Sequence, residues 1–594
     1  MSVNNPRFLI TNADARVWRD DVPILFLGEW CVWNLGKEAL ANLDFEVAAP
    51  YGWEDGQRES DYRHVWELIE RLLPDLCGML NRYHSTGYSS RYWRIMLGTW
   101  LYKFTIILFN RWATVRHALR GRRVSGAVVL EFPREQLVPS GYMSFARLYR
   151  LDVWNLAVFG RILRDCSDVP CTVKQAATLD GGEECDSQTF TQALAPTVQH
   201  RAKLFVGGLV QRFAKQLTRP TDALFVSTYM PFWQDCRLQL ALGQIPIPRL
   251  LEPHPEMSPD FSIRDRFSLG AENFAGFERF IRKLIPEHLP TCYLEGYQAL
   301  CEKATGMPWP IRPKFIFTAN AYDGDEIFKA WTAAKVEQGV PYLIGQHGAN
   351  LGSAMFAPSE LHETATADRY LTWGWQEDAE KHRPVVVLTM IGKTATKSNP
   401  QGGLLLVERG GGQRETLWDE IPAFSRYLEA QFSFISGLKR GIDKQVTVRL
   451  YSVYLYLNWS EDIIWKKHFP QIRFDDGRRP IARQIAQSRL TVFSYESAGA
   501  LELLAGNIPM LIFYDTRDYP LRPCARPYYE RLKAVGIFHE SPISASEKVN
   551  EIWSNVQGWW EREEVQEARK SFCEHFARIT KNPLRDLKRA LLEK

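Results

Sequence analysis

The chain has 594 residues, too many for one hydrophobic core; at roughly 150 residues per domain it should hold two to four domains. With 45% apolar and 24% charged residues, the composition is that of a globular protein and excludes a disordered or fibrous chain. Lys and Arg number 73 against 69 Asp and Glu, and a net charge of +4 is too near neutral for a dedicated nucleic-acid binder.

In chain order, PILFLGEW (23–30) reads as a buried strand ending in a loop, and long helical patterns follow over 61–83 and 91–120. DALFVST (222–228), KFIFTAN (314–320) and PYLIGQHG (341–348) are further apolar runs that end in polar residues. KTATKSNPQGG (393–403) is polar and rich in breakers, and marks a seam. Beyond it, LLLVE (404–408), VTVRL (446–450), IRF (472–474), RLTVFS (489–494) and MLIFY (510–514) alternate with helical stretches at 480–487, 497–505 and 525–535. That alternation predicts an α/β chain of two Rossmann-like domains facing a cleft. Residues 1–392 form the first, with a helical elaboration over about 60–220, residues 393–403 the linker, and residues 404–594 the second. Ten cysteines without a C-x-x-C pair read as reduced thiols, and the N-terminus carries no secretory pattern. The expected location is the cytoplasm, with a peripheral contact at the cytoplasmic face of the inner membrane as a further expectation.

Five features carry candidate chemistry. In FSYESAGALELLAGNIPMLIFYD (493–515), Ser494, Tyr495, Ser497 and Gly499 occupy the turn from a strand into a helix. Hydroxyls and N–H groups at a helix start suit a nucleotide phosphate, and Glu502 follows where a carboxylate can bind a ribose. In IGQHGANLG (344–352), His347 tips a glycine-rich loop at a strand end, where an imidazole serves as base or phosphate contact. Gln346 precedes it, and Glu360, His362, Glu363 and Asp368 cluster before a strand-like YLTWGW. Asp323 and Asp325 form a D-x-D triplet, a weak match to a metal site, and either can equally be a general base. Glu29 ends the first strand as a cleft-facing carboxylate. From Leu76 to Leu130 there is no Asp or Glu, while Arg91, Trp93 and Arg94 belong to a basic, aromatic stretch suited to anionic lipid or a phosphorylated acceptor. Each feature has a plain structural alternative: a helix cap, a core histidine, a surface carboxylate or a partly buried helix pair.

FLGEWC, STGYSSRYWRIMLGTWL (85–101), IGQHGANLG with ELHETATADRYLTWGW, and FSYESAGALELLAGNIPMLIFYD with RPYYERLKAVGIFHESP together resemble the transferases encoded in bacterial O-antigen and surface-carbohydrate clusters. The Gln-His-Gly loop is also similar to the Trp-His-Gly-Thr loop of CDP-glycerol glycerophosphotransferases, and this bears on His347 alone. The resemblance implies a GT-B-like glycosyltransferase that uses a nucleotide-sugar donor, such as a CMP-activated nonulosonic acid or Kdo-like sugar, and a carbohydrate or glycolipid acceptor. The His-Pro motif of the CMP-dependent enzymes is missing after VTVRL, where Arg449 stands in line to serve the phosphate instead. On this reading Ser494, Tyr495, Ser497, Gly499, Arg449 and Glu502 hold the nucleotide, and Arg91, Trp93, Arg94, Gln346, Glu360 and His362 face the acceptor. His347, Glu29, Asp323 or Asp325 is the base; no metal, cofactor or nucleic acid is expected. Two other readings stay open: an epimerase, hydrolase or polyol-phosphate transferase of the same fold, and a non-catalytic scaffold for polysaccharide assembly.

Overall fold

Among the described residues, short runs of Ile, Val, Leu and Phe, most of them closed by polar or glycine residues, form three wholly parallel sheets of five, five and six strands. The computed structural model describes residues 5–593 except 20, 34–39, 53, 55, 177–216, 248–251, 394–395, 411–417, 419–423 and 453–460.

The first sheet comprises β1 (Arg7–Ile10), β2 (Ile24–Phe26), β3 (Phe45–Val47), β4 (Val124–Glu131) and β5 (Cys171–Gln175), in the order β3-β2-β1-β4-β5. The second comprises β6 (Leu224–Val226), β7 (Ile316–Thr318), β8 (Tyr342–Gly345), β9 (Arg369–Thr372) and β10 (His382–Pro384), which neighbour one another in chain order. The third holds β11 (Gly403–Val407), β12 (Val446–Arg449), β13 (Arg473–Asp475), β14 (Ser488–Phe493), β15 (Met510–Phe513) and β16 (Phe538–His539). Its order, β13-β12-β11-β14-β15-β16, reverses between β11 and β14, and such a reversal opens a ligand crevice beyond the strand ends.

The chain is therefore α/β with Rossmann-like parallel sheets, and the first 392 residues build two of them. The stretch expected as a helical elaboration contains β4 and β5, which complete the first sheet. Two long helices, Gln57–His84 and Ser90–Leu119, pack against each other within that stretch. Ser90–Leu119 is apolar nearly all round and is accordingly buried nearly all round. One side meets the helix Asp152–Cys166 of the first sheet, and another meets Glu326–Glu337 and Pro358–Thr366 of the second. It is the brace between the two sheets. Its aromatic residues Tyr92, Trp93, Trp100 and Tyr102 are core, which corrects the expectation of a basic, aromatic outer surface. No described helix is long and apolar enough to cross a membrane.

Candidate active site between the second and third sheets

The strand ends of the second sheet gather Tyr229, Asn320, Tyr322 and His347. After β6 the chain turns sharply, with Ser227 and Tyr229 both in the left-handed region at φ 48° and 61°. Residues other than glycine are uncommon there, and such turns cluster at functional sites. The turn leaves Tyr229 well exposed, with its hydroxyl accepting from Asn320 Nδ2 (3.1 Å) and its ring 6.0 Å from the His347 ring.

His347 is held in place by its neighbour. Gln346 points into the core, where its Oε1 accepts from Trp373 N (2.8 Å) and Trp375 Nε1 (2.8 Å) and its Nε2 donates to Gly348 O (2.8 Å). His347 itself is 25% exposed, and burial lowers its pKa to about 4. Behind it, Tyr322 Oη lies 3.3 Å from Nδ1 and donates to Glu363 Oε1 at 2.6 Å, while Glu363 Oε2 is 3.9 Å from the same nitrogen. Glu363 is fully buried, and that burial raises its pKa to about 8.

The loop after His347 runs to the third sheet. Ser353 Oγ donates to Glu496 Oε1 (2.9 Å), and Ala354 bridges Leu521. Arg522 donates to Ala354 O (2.9 Å) and to Glu360 Oε1 (2.8 Å), and Glu360 Oε2 accepts from Gly352 N (2.6 Å). The His347 loop is thus fastened to the turn that precedes the helix Ala498–Ala505. Across from it, burial, then Asp323, then Tyr451 raise the Tyr229 phenol, so Tyr451 of the third sheet stands near Tyr229 of the second. At the reversal point, Arg409 follows β11, its N–H donating to Tyr427 Oη (2.8 Å) and its Nη1 to Tyr519 Oη (2.7 Å).

The residues singled out from sequence fall into several places. Ser497 caps the helix Ala498–Ala505 by accepting from Ala500 N (3.1 Å), and Ser494 is buried with its hydroxyl 2.6 Å from Tyr427 Oη. Tyr495 and Gly499 lie at the same turn, whose first N–H groups have no intrahelical acceptor. Arg449 is engaged with Asp475 (2.7 Å) and the carbonyls of Gly477 and Arg479, and Glu502 with Thr389 (2.5 Å) and Lys393 (3.5 Å). Asp325 is the N-cap of Glu326–Glu337, accepting from Phe328 N (3.0 Å), and Asp323 is turned inward, where burial raises its pKa. Glu29 is exposed at the end of β2, in a crevice lined by Trp33, Tyr51 and Phe424.

The acceptor group needs correction. Trp93 is fully buried, Gln346, Glu360 and His362 are buried, Arg91 pairs with Asp368 (2.9 Å), and Arg94 donates to Glu70 (2.8 Å). His362 sits against Gly98, where an added Cβ would lie 2.6 Å from its ring, and burial holds its pKa near 3. Trp93, Gln346, Glu360 and His362 thus brace the site from behind and offer an acceptor no surface, while Arg91 and Arg94 are part-exposed and engaged with Asp368 and Glu70. Sequence reading missed Tyr229, Asn320, Tyr322 and Arg409. The signal for the first three was the polar residue following each apolar run, and for Arg409 the glycines after β11.

Among curated proteins none matches this chain. Similar solved structures include the wall teichoic acid polymerase TagF with CDPG, at 10% identity over 68% of this chain and 97% of TagF, TM-score 0.32. HepE of Anabaena with UDP and glucose matches at 10% identity over 62% of this chain and 98% of HepE, TM-score 0.33. The spinosyn rhamnosyltransferase SpnG with spinosyn aglycone matches at 14% identity over 63% and 100%, TM-score 0.31. The model of the LIC12162 family of transferases spans residues 7–591, essentially the whole chain, which therefore belongs to that family and is a transferase.

Proposed function

We propose that this transferase moves a sugar from a nucleotide-activated donor to a carbohydrate or glycolipid acceptor, with His347 as the base. The observation that carries the reading is the position of His347: partly exposed at the end of β8, on a loop fastened through Ser353 to the turn at Ala498–Ala505. The donor lies on the third-sheet side, in the crevice between β11 and β14. Ser494 and Ser497 already serve Tyr427 and Ala500, so the leaving phosphate is met chiefly by backbone N–H groups at the helix start, with Arg409 nearby. The acceptor lies on the second-sheet side beside Tyr229 and Asn320. Its oxygen bonds the anomeric carbon as the bond to the nucleotide phosphate breaks and that phosphate keeps the electron pair. The acceptor proton passes to His347 Nε2. A CMP-activated nonulosonic or Kdo-like donor, a surface-glycan acceptor and work at the cytoplasmic face of the inner membrane are the finer parts of the proposal, as is the division at 393–403 into acceptor and donor halves.

His347→Ala should cut turnover by about 10²-fold or more, the scale of general acid–base catalysis, while donor affinity measured by calorimetry changes little. Near-wild-type turnover in a folded variant would remove His347 from the chemistry. Donor consumed without any acceptor would point to an epimerase or hydrolase.

A further inference from the structure

Behind His347 lies a chain of three polar atoms that the transfer reaction, as described so far, does not use. Tyr322 comes from the short helix Ala321–Gly324, Glu363 from Pro358–Thr366 and His347 from the loop after β8. Tyr322 and Glu363 are both buried, and Glu363 Oε2 has no hydrogen-bond partner. A phenol has one proton. At 2.6 Å that proton belongs to the Tyr322–Glu363 bond, so when Glu363 is a carboxylate the Tyr322 oxygen can only accept from His347 Nδ1. Nδ1 then carries hydrogen and Nε2 keeps its lone pair.

We propose that Glu363, acting through Tyr322, is the positioning residue that sets the His347 tautomer and receives the proton His347 removes. The inference rests on the reading of His347 as base. The step balances: Nε2 gains the acceptor proton, Nδ1 gives its proton to Tyr322 Oη, and the Tyr322 proton moves to Glu363 Oε1. The acceptor O–H is broken, the Glu363 O–H is formed, and the imidazole ends neutral. Burial works in the same direction on both ends, holding His347 near 4 and Glu363 near 8, so the proton rests on the carboxyl and not on the ring. The groups facing Glu363 are Tyr322 and Asp323 from Ala321–Gly324, Tyr342 from β8, Tyr370 from β9 and Glu360 on its own helix. None of them is a cation; the Tyr322 and Tyr370 hydroxyls draw the Glu363 value down, and burial outweighs them. When Glu363 is protonated it donates to Tyr322, the Tyr322 proton turns to Nδ1, and Nε2 carries the hydrogen: the base is off.

The test needs no substrate. In full-length protein labelled with [15N]histidine, the His347 resonances are assigned by their loss in His347→Ala. Wild type should show the Nδ1–H form at high pH and a tautomer change with its midpoint near 8, far from the histidine's own titration near 4. Glu363→Gln should abolish that midpoint and hold one tautomer at every pH, since a glutamine has no proton to lose. Tyr322→Phe removes only the hydroxyl and should also erase it, which covers the case in which Glu363→Gln does not fold. In turnover, the acid limb of kcat/KM should lie near 8 in wild type and be absent in Glu363→Gln, with kcat lower by about 10-fold or more. A midpoint that survives both variants, or that wild type lacks, overturns the relay. These spectra are independent of the glycosyl-transfer reading, which stands or falls on His347→Ala turnover.

Discussion

Ser497 shows how one side chain can serve two ends. Its Oγ accepts the Ala500 N–H, an ordinary cap, and this orders the first turn of Ala498–Ala505. The same first turn is where a donor phosphate would meet backbone N–H groups, so the cap shapes the anion site without having to touch the anion. Ser497→Ala should therefore cost about 1 kcal/mol of stability, read from urea unfolding, and should weaken nucleotide binding in calorimetry. Stability lost with nucleotide affinity intact would place the donor elsewhere. His347 and His362 make a complementary pair. Both are neutral, with pKa values held down by burial, yet His362 is walled in by Thr99, Tyr102 and Gly98 while a quarter of His347 is open to the cleft.

At the scale of elements, the loop after β8 is governed by the residue that faces inward. Gln346→Ala leaves Trp373 N and Trp375 Nε1 buried without acceptors, and each orphaned donor costs about 1–3 kcal/mol. A loss of several kcal/mol in urea unfolding is expected, with His347 displaced; a loss of only a few tenths would mean the loop is fixed from elsewhere. This element also shows what the sequence could tell. PYLIGQHG announced a buried strand ending in a polar loop, and DALFVST, KFIFTAN and RLTVFS did likewise, because apolar runs broken by polar residues mark parallel strand ends. FEV in β3 and CTVKQ in β5 gave no such sign, being short and only half-buried or exposed. Nor could local pattern show that Gln346, beside His347, points the other way, although alternation along an extended chain allows it. Around Arg91, Trp93 and Arg94 the local signal was of a different kind. A helix apolar on every side signals a buried brace, and the plain alternative of a partly buried helix pair is the one this helix follows. Tyr322 and Glu363 lie 41 residues apart, and only the tertiary fold brings them together.

For the molecule as a whole, the buried ionisable groups fall into two sets with opposite pH signatures. Burial lowers His288, His347 and His539 to about 4 and His362 to about 3, from an ordinary value of 6.5. Their contribution to stability is complete above pH 6.5 and is lost as pH falls through those folded values, because the unfolded chain then binds protons the folded one excludes. The carboxyls run the other way. Burial raises Glu363 to about 8, and it also raises Glu408 and Glu461, which share one site beyond β11. Their contribution is complete below the ordinary carboxyl value of 4.5 and is lost as pH climbs through the raised values in the folded protein. Between pH 6.5 and 8 the folded histidines stay neutral while the unfolded ones give up their remaining protons, a gain of about 0.4 kcal/mol each that the titrating carboxyls outweigh. Stability should therefore fall across that interval, by on the order of 2 kcal/mol. Urea midpoints at pH 6.5 and pH 8, at one ionic strength, measure it. Glu363→Gln should flatten part of the fall, since it removes the group that ionises near 8 and keeps the shape of the site. A midpoint equal at the two pH values, or higher at pH 8, would mean that Glu363 is ionised in the folded protein at neutral pH, and the His347 base would then be switched on throughout that range.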